Sequence, residues 1–126
     1  MKALNIISVA YRATLEEQDD TIVWLTHAMR GAGADIDVLL RGPAVNYIVK
    51  GQEVAPLSIG GREQKHAPDV YGQLASLCEK GAMIYVLAED LKQRGLKHAP
   101  RLDGARIVAS EDVPKLADAY DYVWHW

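Results

Sequence analysis

The stretch that most constrains the fold is Met83-Ile84-Tyr85-Val86-Leu87, followed at once by Ala88-Glu89-Asp90-Leu91-Lys92-Gln93-Arg94-Gly95. Five apolar residues without alternation predict a strand covered on both faces, as in a parallel sheet. Glu89 and Asp90 suit the first turn of a helix, where carboxylates oppose the positive end of the dipole. Gly95 suits its stop, because glycine readily takes the left-handed conformation that closes a helix. Ligands of open α/β sheets bind outside the carboxyl ends of such strands. The turn Leu87–Asp90 is therefore the first place to expect a site.

The rest of the chain repeats the alternation. Leu4–Ala10 predicts a first strand, and its shortness argues against a cleaved signal segment. Thr14-Leu15-Glu16-Glu17 has capping-box spacing. A helix is expected from Thr21 to Arg30, capped by Asp20, with Ile22, Leu25 and Met29 on one face and Gly31 and Gly33 at its end. Asp35–Leu40 predicts a second strand, whose initial alternation suggests a more exposed place in the sheet. Pro43 suits the first position of a helical stretch over Ala44–Val49. Gly51–Ala67 then reads as a long polar segment without periodicity, a length that often marks a binding loop.

A third helix is expected from Pro68-Asp69 to Gly81, with Val70, Leu74, Leu77 and Cys78 in one helical phase. After the organising strand come a loop over Lys97–Gly104, a strand over Ala105–Ala109 and a helix begun by Ser110, Glu111 and Asp112. Pro114 is tolerated in that helix's first turn, and Leu116, Ala117 and Tyr120 supply its inner face. Tyr122–Trp126 reads as a final strand, docked in the sheet, that alternates Tyr122, Trp124 and Trp126 on one face. Five strands alternating with helices predict one α/β domain over residues 1–126: a three-layer α/β/α arrangement with a five-stranded, mainly parallel sheet. Taking the first and third strands as the most apolar and so the most central gives the order 2-1-3-4-5.

Composition narrows the function. Seventeen acidic against 14 basic residues leave a net charge of −3, which argues against nucleic-acid binding. No apolar run approaches the roughly 20 residues of a membrane span. A single cysteine excludes an internal disulfide framework, so a cytoplasmic protein is the simplest reading. Gly31-Ala32-Gly33 follows a helix rather than a strand and is no dinucleotide fingerprint. His27, His66, His98 and His125 lie far apart without metal-ligand spacing. Neither a metal nor a cofactor is implied.

The buried strand and turn together with Arg94-Gly95-Leu96, and the later Leu102-Asp103-Gly104-Ala105 before a strand and helix, resemble the DsrE/DsrF-like family over nearly the whole chain. The resemblance implies a small cytoplasmic α/β/α protein that assembles as a trimer or hexamer. It also implies association with sulfur-relay proteins, which act in tRNA thiolation and sulfur oxidation. Sulfurtransferase members carry a cysteine seven residues before the arginine of the Arg-Gly pair. Here that position is Leu87, and a second cysteine found in some relatives falls near Asp90. Leucine has no nucleophile to carry sulfur. Cys78 is the one thiol left, either an inert small hydrophobe on the apolar face of its helix or a persulfide carrier. Glu89 and Asp90 either serve the helix start alone or line a ligand crevice with Tyr11, Arg12, Leu87 and Arg94. The expected function is thus a non-catalytic assembly subunit or small-ligand binder, with sulfur transfer through Cys78 as the alternative.

Overall fold

A computed structural model describes residues 1–12 and 19–126; the capping-box segment Thr14–Glu17 lies outside the described residues. Five parallel strands form the main sheet: β1 (Lys2–Ile7), β2 (Asp35–Leu40), β5 (Ile84–Leu87), β6 (Ala105–Val108) and β7 (Tyr122–His125). Their spatial order is β6-β5-β2-β1-β7. Helix α1 (Thr21–Gly31) links β1 to β2. A 3-10 helix (Gly42–Ile48), a small hairpin of β3 (Ser58–Ile59) and β4 (Arg62–Glu63), and α2 (Val70–Glu79) link β2 to β5. Helix α3 (Ala88–Gln93) links β5 to β6, and a 3-10 turn (Ser110–Asp112) with α4 (Val113–Ala117) links β6 to β7.

This order assigns the helices to faces. From β1 the chain steps in one direction through β2 and β5 to β6. Right-handed crossovers in a constant direction stack α1, the 3-10 helix, α2 and α3 on the same face. The last crossover runs back past β1 to β7, so α4 falls on the opposite face. The packing agrees. Ile7, Val38, Leu40, Ile84 and Val86 join Val23, Tyr47, Leu74, Leu77 and Leu91 in the larger core. Leu4, Ile6 and Leu39 form the smaller one, with Tyr85, Val108, Val113 and Tyr120 packed on it.

The observed order corrects the expected 2-1-3-4-5: in chain order the strands lie 4-3-2-1-5. The alternation Asp35-Ile36-Asp37 suggested exposure, yet β2 is the middle strand and Asp37 is 2% exposed. Its carboxylate accepts hydrogen bonds from Met83 N (2.8 Å) and Tyr120 Oη (2.5 Å), with Lys2 Nζ at 3.5 Å. A buried carboxylate held by donors and cations mimics a surface residue in the sequence.

Other boundaries shift modestly. The first strand ends at Ile7 rather than Ala10. Helix α1 begins as expected, with Asp20 Oδ1 accepting from Ile22 N and Val23 N. Its buried residues are Ile22, Val23 and Thr26, while Leu25 and Met29 are half-buried. The structureless reading of Gly51–Ala67 is also corrected, because Gly60 and Gly61, both at positive φ, turn the β3–β4 hairpin. The last strand is docked on β1, and Trp126 Nε1 donates to Asn5 Oδ1 at 3.2 Å. Among the described residues no helix is long and apolar enough to cross a membrane.

Candidate functional site

Adjacent strands whose following loops leave on opposite faces open a crevice at their carboxyl ends. Here those strands are β5, followed by α3, and β6, followed by α4. The expected turn Leu87–Asp90 therefore stands at the switch point. Its polar groups close the crevice. Both Glu89 carboxylate oxygens lie within hydrogen-bond distance of Ser110 N, at 2.9 and 3.1 Å, bridging the two strand ends. That bond holds the Glu89 carboxyl below its ordinary range. Asp90 Oδ2 accepts from Gly42 N (2.6 Å), and Arg94 Nε donates to Gly42 O (3.1 Å).

Gly42 is the knot of this end of the sheet. Its φ is +56°, and a Cβ there would stand 3.2 Å from Ser8 O. A side chain would be both strained and crowded against the end of β1. Three strand ends thus meet at one glycine through Asp90 and Arg94. Leu87, the cap residue of α3, is 5% exposed. It pairs in register with Val108, on the α4 side of the sheet.

Tyr11 lies elsewhere. It lines a cavity of about 290 Å³ with Tyr47, Gln52, Val54, Val70 and Tyr71, on the α2 side of the sheet, and no residue of the Leu87–Arg94 turn borders it. Three elements set this cavity. Asp20, 1% exposed, caps α1 with one oxygen and accepts from Tyr47 Oη (2.5 Å) with the other. Tyr47 Oη accepts in turn from Tyr11 N, and the two rings meet edge to face at 5.2 Å. Tyr11 has a φ of 57°, a left-handed backbone uncommon for a bulky residue. Its hydroxyl donates to Gln52 Oε1 at 2.6 Å. Burial, then the Asp20 contact, pushes the Tyr47 hydroxyl well above the ordinary tyrosine range; burial also raises Tyr11. Arg12 is exposed beside it. The sequence signals for this cavity were Asp20 and the Gly42-Pro43 helix start, but neither announces Tyr47 as their common partner.

Cys78 is half-buried near the carboxyl end of α2, packed against the larger core. Its Sγ lies 3.0 Å from where a Gly104 Cβ would stand, so the loop before β6 closes over the thiol. Burial raises its pKa, and the negative end of the helix dipole opposes a thiolate as well. Among the described residues no group of three or more His, Cys, Asp or Glu side chains could hold a metal ion.

A five-stranded parallel sheet in three layers, with its switch-point crevice bridged by side chains, defines the structural class of this chain. Within that class it is similar to the ychN protein from E. coli, with a TM-score of 0.74 and 17% identity over 100% of both chains. It is also similar to MTH1491 from Methanobacterium thermoautotrophicum, a protein of unknown function, with a TM-score of 0.61 and 12% identity over 97% of this chain and 96% of the other. Likenesses at these identities establish the fold alone. No protein-family model and no curated protein matches the chain.

Proposed function

We propose that this chain is a non-catalytic protein of the DsrE/DsrF-like type, a small-ligand binder or assembly subunit associated with intracellular sulfur metabolism. The shared fold and the sequence resemblance support the type. The single observation that carries the non-catalytic reading is Leu87. The strand end where sulfurtransferase relatives place a cysteine holds a 5% exposed hydrocarbon, which can neither attack a sulfur donor nor carry a persulfide. The Tyr11–Tyr47 cavity is the better ligand site, because it is preformed, largely apolar and has oriented hydroxyl and amide groups at its edge. Self-association as a trimer or hexamer belongs to the same reading. Tyr122 and Val123 on the edge strand β7, and Trp126 just after it, are 39–48% exposed, which leaves apolar surface for a neighbouring copy.

Incubation with a sulfur donor followed by mass spectrometry of the intact, folded protein tests the reading. An unmodified chain is expected. An adduct of one sulfur atom on Cys78 would replace it with the carrier function. Sedimentation of the same sample tests assembly, and a monomer would remove that part.

A further inference from the structure

Helix α3 spans six residues, and the α3 face of the edge strand β6 is left partly uncovered: Ile107 is 44% exposed. Between α3, β6 and the loop that joins them lies an open groove of about 580 Å³. Leu91, Ala88 and Ile107 contribute apolar lining, and Lys92, Lys97, His98 and Arg101 add basic side chains. In a chain of net charge −3 this is a local reversal of sign, and three features preserve it. None of the ion pairs formed among the described residues includes Lys92, Lys97 or Arg101. The nearby Asp103 is paired with Lys50 at 3.6 Å. Glu89 is the one carboxylate on the lining, and it accepts from Ser110 N.

The loop that carries the cations is held in place. Lys50 N donates to Pro100 O and Leu102 N to Ile48 O, both at 2.9 Å, and Val49 bridges Arg101. Arg101 Nη1 donates to Lys97 O at 3.1 Å, which orients a half-buried guanidinium without neutralising it. An oriented guanidinium and two exposed lysines over an apolar floor favour a ligand that brings both an anionic group and an apolar body, since each part gains what the other lacks.

We propose that this groove, separate from the Tyr11–Tyr47 cavity, binds a small amphipathic anion: an aryl or acyl group bearing a phosphate, sulfate or carboxylate. Titration of the full chain with 2-naphthyl phosphate, followed by backbone amide NMR, tests it. 2-Naphthol and inorganic phosphate serve as the separated halves of the probe. Saturable shifts are expected at Ala88–Lys92, Lys97–Arg101 and Ile107, with each half binding about tenfold or more weakly. Affinity should fall as the screening length shrinks from roughly 30 Å to roughly 3 Å between about 0.01 and 1 M salt. Lys92→Glu combined with Lys97→Glu, both exposed and so compatible with the fold, should weaken binding about tenfold. Shifts centred on Tyr11 and Tyr71, inorganic phosphate binding as tightly as the naphthyl ester, or an affinity unmoved by the two charge reversals would each overturn the proposal.

Discussion

On one face of the sheet, α1, the 3-10 helix, α2 and α3 press on Ile7, Val38, Leu40, Ile84 and Val86. On the other, the five-residue α4 and Tyr120 cover Leu4, Ile6 and Leu39. One crossover against three produces this inequality, and the hydrocarbon is divided unequally between the two faces. The thick face has most of the hydrocarbon at full burial and encloses the Asp20–Tyr47 bond within it. The thin face has little of it and adds a polar anchor. Tyr120 Oη donates to Asp37, the Tyr120 ring lies under Lys2 Nζ at 4.9 Å, and Asp37 also accepts from Met83 N. A small hydrophobic layer can be fixed in register by one well-satisfied buried carboxylate.

The comparison can be broken most forcibly by truncation in the thick face. Leu74→Ala, at a fully buried position, should cost about 2–5 kcal/mol in denaturant unfolding. Leu116→Ala on half-buried α4 should cost below about 1 kcal/mol. Equal losses would mean that the faces are equally thick in energetic terms.

Next in size is the anchor. Asp37→Ala leaves the Tyr120 hydroxyl and Met83 N without their partner and should cost about 3 kcal/mol. Amide exchange should accelerate first in α4 and β7, the elements the anchor holds. Tyr120→Phe removes one bond to a charged acceptor and should cost about 1–2 kcal/mol. Uniform acceleration across the sheet would show that Asp37 supports the whole fold rather than its thin layer.

Alkali tests the tyrosine–carboxylate pair on each face. Burial first, then Asp37, raises the Tyr120 pKa well above its ordinary value of 10.0, and burial with Asp20 does the same for Tyr47. Both groups stay protonated in the folded chain at pH values where the unfolded chain has lost the proton. Their contribution is therefore fully present below pH 10.0 and lost as pH rises above it. Stability should fall above that pH, and less steeply in Tyr120→Phe. A slope unchanged by Tyr120→Phe would remove the anchor from the explanation.

The elements were legible where local chemistry decides them. The second strand has the expected bounds, Asp35–Leu40, and Asp20 caps α1. Gly95, at φ 71°, follows α3 as a left-handed stop. The order of the strands was not legible, because Asp35-Ile36-Asp37 reads locally as an exposed strand, while the donors that satisfy Asp37 in the middle of the sheet sit 46 and 83 residues away. The turn was legible as a place in the fold and not as chemistry. Leu87–Asp90 does stand at the switch point, but Glu89 finds Ser110 and Asp90 finds Gly42 only in three dimensions. Tyr11 lines a cavity apart from the turn it was expected to join, and its partner there, Tyr47, sits in a 3-10 helix with no motif to mark it.

A small expected effect bears on the largest claim. Cys78→Ala should cost on the order of 1 kcal/mol, as for a small packing residue, and leave the fold intact. The direct measurement is the time course of Cys78 alkylation in the native protein against the denatured one. Slow labelling of the folded chain and rapid labelling after denaturation are predicted from the half-buried thiol under Gly104 and its raised pKa. Rapid native labelling would contradict the packing role of Cys78 and return sulfur transfer to the front.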